Sequence, residues 1–114
     1  AADTRCDEPR NGGDTTHPKR LSLSTMTRVG VVSVTFRSLP VVEVAALAAG
    51  CGLELVEWGG DVHVPAGDLR AAGLARRQCA DRGLAVGGYS SYHKAGQDDR
   101  AAVAELVRTA VELG

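Results

Sequence analysis

The sequence predicts an α/β fold of three βα units with parallel strands. Three apolar runs of strand length alternate with three helical patterns over residues 28–114, and glycines suited to closing a helix recur at Gly52, Gly83 and Gly114, 31 residues apart. The first two of these glycines are each followed by a leucine that opens an apolar run. A strand-helix repeat of constant length and constant hand generates a parallel sheet or barrel. The length of 114 residues matches one small domain, and 44% hydrophobic with 24% charged residues lies in the range of soluble globular chains.

Residues 1–27 are expected to form a disordered tail, because Pro9, Gly12, Gly13 and Pro18 sit among Asp, Arg and Thr with few apolar side chains to offset ordering entropy. Met26 stands directly before the first apolar run, where an authentic translation start is expected. Folded structure is expected over residues 28–114. Val29 to Thr35 is β-branched and apolar enough for a strand buried on both faces. Ser38 is placed to cap a helix with Pro40 in its first turn, with Val41, Val44, Ala45 and Ala48 on one face and Gly50 or Gly52 as the stop. Leu53 to Trp58 reads as the second strand, and a nine-residue loop runs from Gly59 to Gly67. Asp68 then caps a helix whose Ala71, Leu74, Ala75 and Cys79 share a face, and Gly83 ends it in a left-handed conformation. Leu84 to Ser90 is the third strand, followed by a loop through Gln97. A helix capped by Asp98 or Asp99 turns Val103, Leu106, Val107 and Ala110 inward.

A complete (β/α)8 TIM barrel has about 250 residues, so three units amount to a partial barrel. Three strands with all helices outside would leave the barrel-facing surface and one strand edge uncovered. The expectation is therefore the N-terminal part of a larger barrel, with a complete three-stranded α/β domain as the alternative.

No apolar run approaches the roughly 18 residues of a membrane span, and the N-terminus lacks the apolar stretch of a signal peptide. A cytoplasmic protein is expected. The net charge of -1 provides no positive field for nucleic acid or an anionic membrane. Cys6, Cys51 and Cys79 are odd in number and contain no C-x-x-C pair, so reduced thiols, two of them buried, are expected. Gly59-Gly60 and Gly87-Gly88 permit sharp turns or close backbone approach, but neither has phosphate-loop spacing.

The run Gly52-Leu53-Glu54-Leu55-Val56-Glu57-Trp58-Gly59-Gly60-Asp61-Val62-His63-Val64-Pro65 resembles the second βα unit of the sugar phosphate isomerase/epimerase family, the xylose-isomerase-like TIM barrels. Arg28 to Phe36 and Ala85 to Tyr92 resemble its first and third strands more generically, so the resemblance spans Arg28 to Gly114. It implies a divalent metal ion at the carboxyl mouth of the complete barrel, held by Glu, Asp, His and Glu from later strands, and a small sugar or keto-sugar substrate. No metal ligand transfers onto these three units, and no cofactor is expected in them. Proton transfer beside a carbonyl is the implied chemistry, and the 114-residue chain alone is expected to be inactive.

Barrel active sites use the loops after each strand, which makes Glu57, Trp58, His63, Tyr89, Ser91 and His93 the candidate substrate-binding residues. Glu57 ends the second strand, where its carboxylate would hydrogen-bond a hydroxyl or face a cation; a structural carboxylate is the plainer reading. Trp58 would form a wall against a sugar ring or pack under the loop. His63 suits substrate contact or proton handling near neutrality, or else stabilises its loop. Tyr89, Ser91, Tyr92 and His93 offer donors for polyol recognition, although polar residues are ordinary in loops. Pairing of His63 with His93 on a metal is a weak signal without a third ligand at defined spacing. Two other readings remain: a non-catalytic partial barrel that self-associates through its uncovered sheet, and an apurinic-endonuclease-type phosphodiesterase. Only Arg37, Lys94 and Arg100 near the mouth serve the latter.

Overall fold

A computed structural model of the chain describes residues 27–97 and 99–114. The expected tail, apart from Thr27, and Asp98 as a helix cap lie outside the described residues. The elements run β1 (Gly30–Val32), a 3-10 turn (Ser33–Phe36), α1 (Val41–Gly50), β2 (Leu55–Gly59), α2 (Leu69–Asp81), β3 (Ala85–Ser90) and α3 (Arg100–Leu113). The three strands form one parallel sheet in the order β1-β2-β3. The chain is thus α/β, with three parallel strands in one sheet and three helices among the described residues. Among the described residues no helix is long and apolar enough to cross a membrane.

Each new strand adds to the same edge of the sheet, and right-handed crossovers then deliver every helix to the same face. The helices accordingly form one layer, with α1 against α2 and α2 against α3. Alternation along β2 turns Val56 and Trp58 into this layer, where both are fully buried, while Leu55 and Glu57 point to the other face. Val44, Ala45 and Ala48 of α1 and Ala72, Ala75 and Cys79 of α2 complete the core with Leu113 of α3. Small side chains dominate it, and Trp58 is the largest group fully enclosed.

Both helix-closing glycines adopt the conformation that their repeat spacing predicts. Gly52 has φ +72° and Gly83 has φ +69°. At the first, Leu53 N donates to Ala48 O (3.0 Å) and Gly52 N to Ala49 O (3.0 Å); at the second, Leu84 N donates to Cys79 O (2.9 Å) and Gly83 N to Ala80 O (3.2 Å). These are two copies of the Schellman motif, which satisfies the last helical carbonyls and aims the chain into the following strand. The N-terminal caps of α2 and α3 follow the same economy: Asp68 Oδ1 accepts from Ala71 N (2.9 Å) and Asp99 Oδ1 from Ala102 N (2.7 Å).

Five expectations change. β1 is not a strand from Val29 to Thr35 buried on both faces; only Gly30–Val32 pair with β2, and Val32 is exposed. The strand stops because the Ser33 hydroxyl accepts the Gly59 N–H at 2.9 Å, replacing further backbone pairing, and the chain turns at once into the 3-10 segment. Ser38 does not cap α1: Pro40 occupies the cap position with extended backbone and no side-chain hydrogen bond. The buried face of α2 includes Ala72 and leaves Ala71 half-buried. In α3, Thr109 and Leu113 are buried while Val107 is 56% exposed, because α3 leans its opposite side on α2. Of the cysteines, Cys79 is buried and free as expected, whereas Cys51 is exposed and disulfide-bonded.

A Cβ at Gly83 would meet nothing within 4 Å, so the only cost of adding one is the left-handed backbone. Gly83→Ala is expected to lose about 1–2 kcal/mol, and Gly83→Asn less, since Asn tolerates that region. Urea denaturation of the two variants side by side measures this, and equal losses would contradict it.

Candidate functional site at the carboxyl ends of the strands

The sheet face opposite the helices is lined by small residues with one apolar and one acidic side chain between them. Leu55 sits where a side chain at Gly30 or Gly87 would collide with it. An irregularity in the β2–β3 register between Val56 and Glu57 places Gly88 beside Glu57 and Ser90 beside Gly59. Glu57 is half-buried, and its Oε1 accepts a hydrogen bond from the Ser90 hydroxyl. A carboxylate held by a hydroxyl across two strands therefore stands near the carboxyl end of the sheet. Behind it, Gly60 N donates to Ser90 O at 2.9 Å, and Arg37 pairs with Asp61 at 2.5 Å across the two loops that rim this end.

Trp58 and His63 belong together, but on the helix side. Trp58 is fully buried, and the His63 ring stands edge-on to it at 6.0 Å with an interplanar angle of 71°. His63 is 6% exposed, and its Nε2 lies 3.0 Å from the Leu39 carbonyl oxygen. A carbonyl only accepts, so Nε2 carries the proton. Among the described residues, His63 Nδ1 and Trp58 Nε1 are buried without a hydrogen-bond partner. The loop carrying His63 is fastened on further sides: Val64 N donates to Gly59 O (3.0 Å), the Tyr89 hydroxyl donates to Val64 O (2.8 Å), and Gly67 N donates to the Thr109 hydroxyl (2.9 Å). Trp58 and His63 thus brace the loop and present almost no surface to a ligand.

Beyond β3, Ser91 Oγ accepts from His93 N at 3.2 Å, and Tyr92 is exposed with φ +57°. His93 is exposed as well. Of the six candidates, the structure sets Glu57 on the open face next to Ser90, Trp58 with His63 in the core, Tyr89 under the loop, and Ser91 with His93 on the segment after β3. Among the described residues no three His, Cys, Asp or Glu side chains gather in a way that would hold a metal ion. Ser33, Ser90 and the Arg37–Asp61 pair were not singled out from the sequence as parts of the site. Only the pairing of strands reveals Ser90 as the partner of Glu57, since the two are 33 residues apart. Glu54, one turn of the pleat before the strand, takes the Val29 N–H on Oε2 at 3.0 Å and anchors the start of β1.

No protein-family model, curated protein or solved structure matches this chain.

Burial raises the Tyr89 hydroxyl above its ordinary 10.0. Burial likewise raises the Cys79 thiol above 9.0, against the opposing pull of Arg82. Both groups are uncharged when protonated, so the native state holds these protons more tightly than the unfolded chain does. Their contribution is complete below the ordinary values and is lost as pH rises through the native ones. Urea midpoints are expected to decline on the alkaline side of pH 9 and to decline less steeply in Cys79→Ala and Tyr89→Phe; equal slopes in all three proteins would refute this. At neutral pH, Tyr89→Phe alone is expected to cost about 1–3 kcal/mol by leaving the Val64 carbonyl unpaired.

Proposed function

We propose that these three βα units supply the substrate-holding wall of a barrel-type site for a small polyhydroxylated ligand, of the sugar phosphate isomerase/epimerase kind that the sequence resembles. The Glu57–Ser90 pair on the helix-free face carries this reading. Parallel strands in sequential order under one helix layer support a partial (β/α)8 barrel, and such barrels bind at the carboxyl ends of their strands. Glu57 stands at that end. An ionised carboxylate accepts hydrogen bonds from vicinal hydroxyls, and Ser90 fixes its orientation by donating to one oxygen while the other remains to accept. Gly88 beside it contributes no side chain, so a sugar ring can approach the sheet closely.

The divalent ion that the resemblance implies would polarise a carbonyl in the complete protein. The residues described here do not form a site for it, and the chemistry of this chain is binding and orientation. The chain alone is expected to show no isomerisation.

Titration of the protein with ketoses and ketose phosphates, followed by amide NMR shifts, tests this. Perturbations should centre on Glu57, Gly88 and Ser90. Glu57→Gln should weaken binding about tenfold or more, as loss of a hydrogen bond to a charged acceptor, about 1.5–3 kcal/mol, implies. Shifts centred on Trp58 and His63, or none at all, would speak against the site.

A further inference from the structure

We infer that the outer face of α2 docks an acidic amphipathic helix of a partner protein, in an open groove of about 780 Å³ lined chiefly by Leu69, Arg70, Gly73, Leu74, Arg77 and Glu112. Spacing along the helix defines the face. Ala72, Ala75 and Cys79 turn α2 into the core, and Arg70, Leu74 and Arg77, four and three residues apart, form a stripe about half a turn around the helix from them. The groove therefore lies on the side of α2 away from the sheet. Further βα units of a barrel extend the sheet at its edges, beside α1 or α3, and do not cover this face. The net charge of -1 conceals what is local here, since α2 carries three arginines against Asp81 alone.

Arg76 is neutralised by Glu112 of α3, to which it pairs at 3.0 Å. Arg70 and Arg77 are exposed and pair with no carboxylate among the described residues. Seven residues at a rise of about 1.5 Å hold these two cations about 10 Å apart along the helix. Half-buried Leu74 lies between them, and Leu69, 46% exposed, stands at the edge of the groove. The floor is backbone. Glycine inside a helix is less favourable than alanine, and Gly73 is buried with no left-handed conformation to require it. A Cβ there would stand 3.1 Å from Glu112 Oε1 and 3.2 Å from Arg77 Nη1, so its absence lets both side chains lie low against α2 and leaves room for another helix to settle between them. Such a surface selects its partner by charge and shape. Two carboxylates seven residues apart on a helix meet Arg70 and Arg77, an apolar residue between them covers Leu74 and Leu69, and Glu112 at the rim repels a carboxylate out of that register. The stripe of the partner then reads Glu-x-x-x-Leu-x-x-Glu. This docking takes place behind the helix layer and does not depend on the sugar chemistry proposed above.

Titration of the full chain with a capped synthetic helix of about 18 residues, built on Ala and Gln and carrying that stripe, tests the inference through amide NMR shifts. Saturable shifts should centre on Arg70 to Arg77 and weaken as salt is added. The double variant Arg70→Gln with Arg77→Gln, both at exposed positions and with folding verified by far-UV circular dichroism, should bind the peptide roughly tenfold more weakly, as loss of two exposed ion pairs implies. A peptide with Gln in place of both Glu residues should bind the wild type more weakly by a similar factor. An unperturbed α2, equal binding of the Gln peptide, or unchanged affinity in the folded double variant would each overturn the inference. Inorganic pyrophosphate binding the same amides more tightly than the peptide would overturn it too, by making the groove a site for small anions.

Discussion

All three helices lie on one face of the sheet, and the rest of the molecule depends on that constraint. Strands added in sequence to one edge, with crossovers of one hand, leave no helix for the other face among the described residues. Every alternating position along β2 then acquires a definite environment: Val56 and Trp58 go to the helix layer, Leu55 and Glu57 to the open side. A carboxylate in a strand bounded by two fully buried neighbours is tolerable only because one face is free of helices. The constraint that builds the core therefore also exposes the site.

With so few aromatic residues, the helix layer rests on Val and Ala, and close approach of the helices replaces bulk. Trp58 is the exception, and it determines how the loop after β2 must run. Its indole would be uncovered at the end of the sheet if the loop were not folded back, so His63 and Val64 are tucked over it and tied to Leu39, Gly59 and Tyr89. These hydrogen bonds satisfy loop backbone groups that burial would otherwise leave unpaired, a cost of about 1–3 kcal/mol each. The loop is consequently a fixed rim, and the backbone that presents Glu57 to Ser90 is fixed with it. His63, whose chemistry is the most versatile in the chain, is used for bracing.

Local signals in the chain were legible where the physics is local. Gly52 and Gly83 announce helix ends because left-handed backbone favours glycine; Asp68 and Asp99 announce helix starts because a short carboxylate reaches the N–H three residues on. The apolar face of α1 was also readable, since Val41, Val44, Ala45 and Ala48 are buried as their spacing requires. The early end of β1 was not. Nothing in the Val-rich run marks Ser33 as the residue that leaves the sheet, because the N–H it accepts belongs to Gly59 in another strand. The exposure of Val107 escaped for a related reason: helical periodicity shows which residues share a face but not which way a neighbouring helix turns it.

The sequence by itself determined the element order, the α/β class and the repeat that paces it, because capping, left-handed glycines and hydrophobic spacing act within a few residues. The tertiary structure decided the roles. It turned Trp58 and His63 inward and set Glu57 against Ser90. Each of these depends on strand register and on how helices lean on one another, and such contacts join residues that are remote in the chain, where spacing along the sequence carries no information.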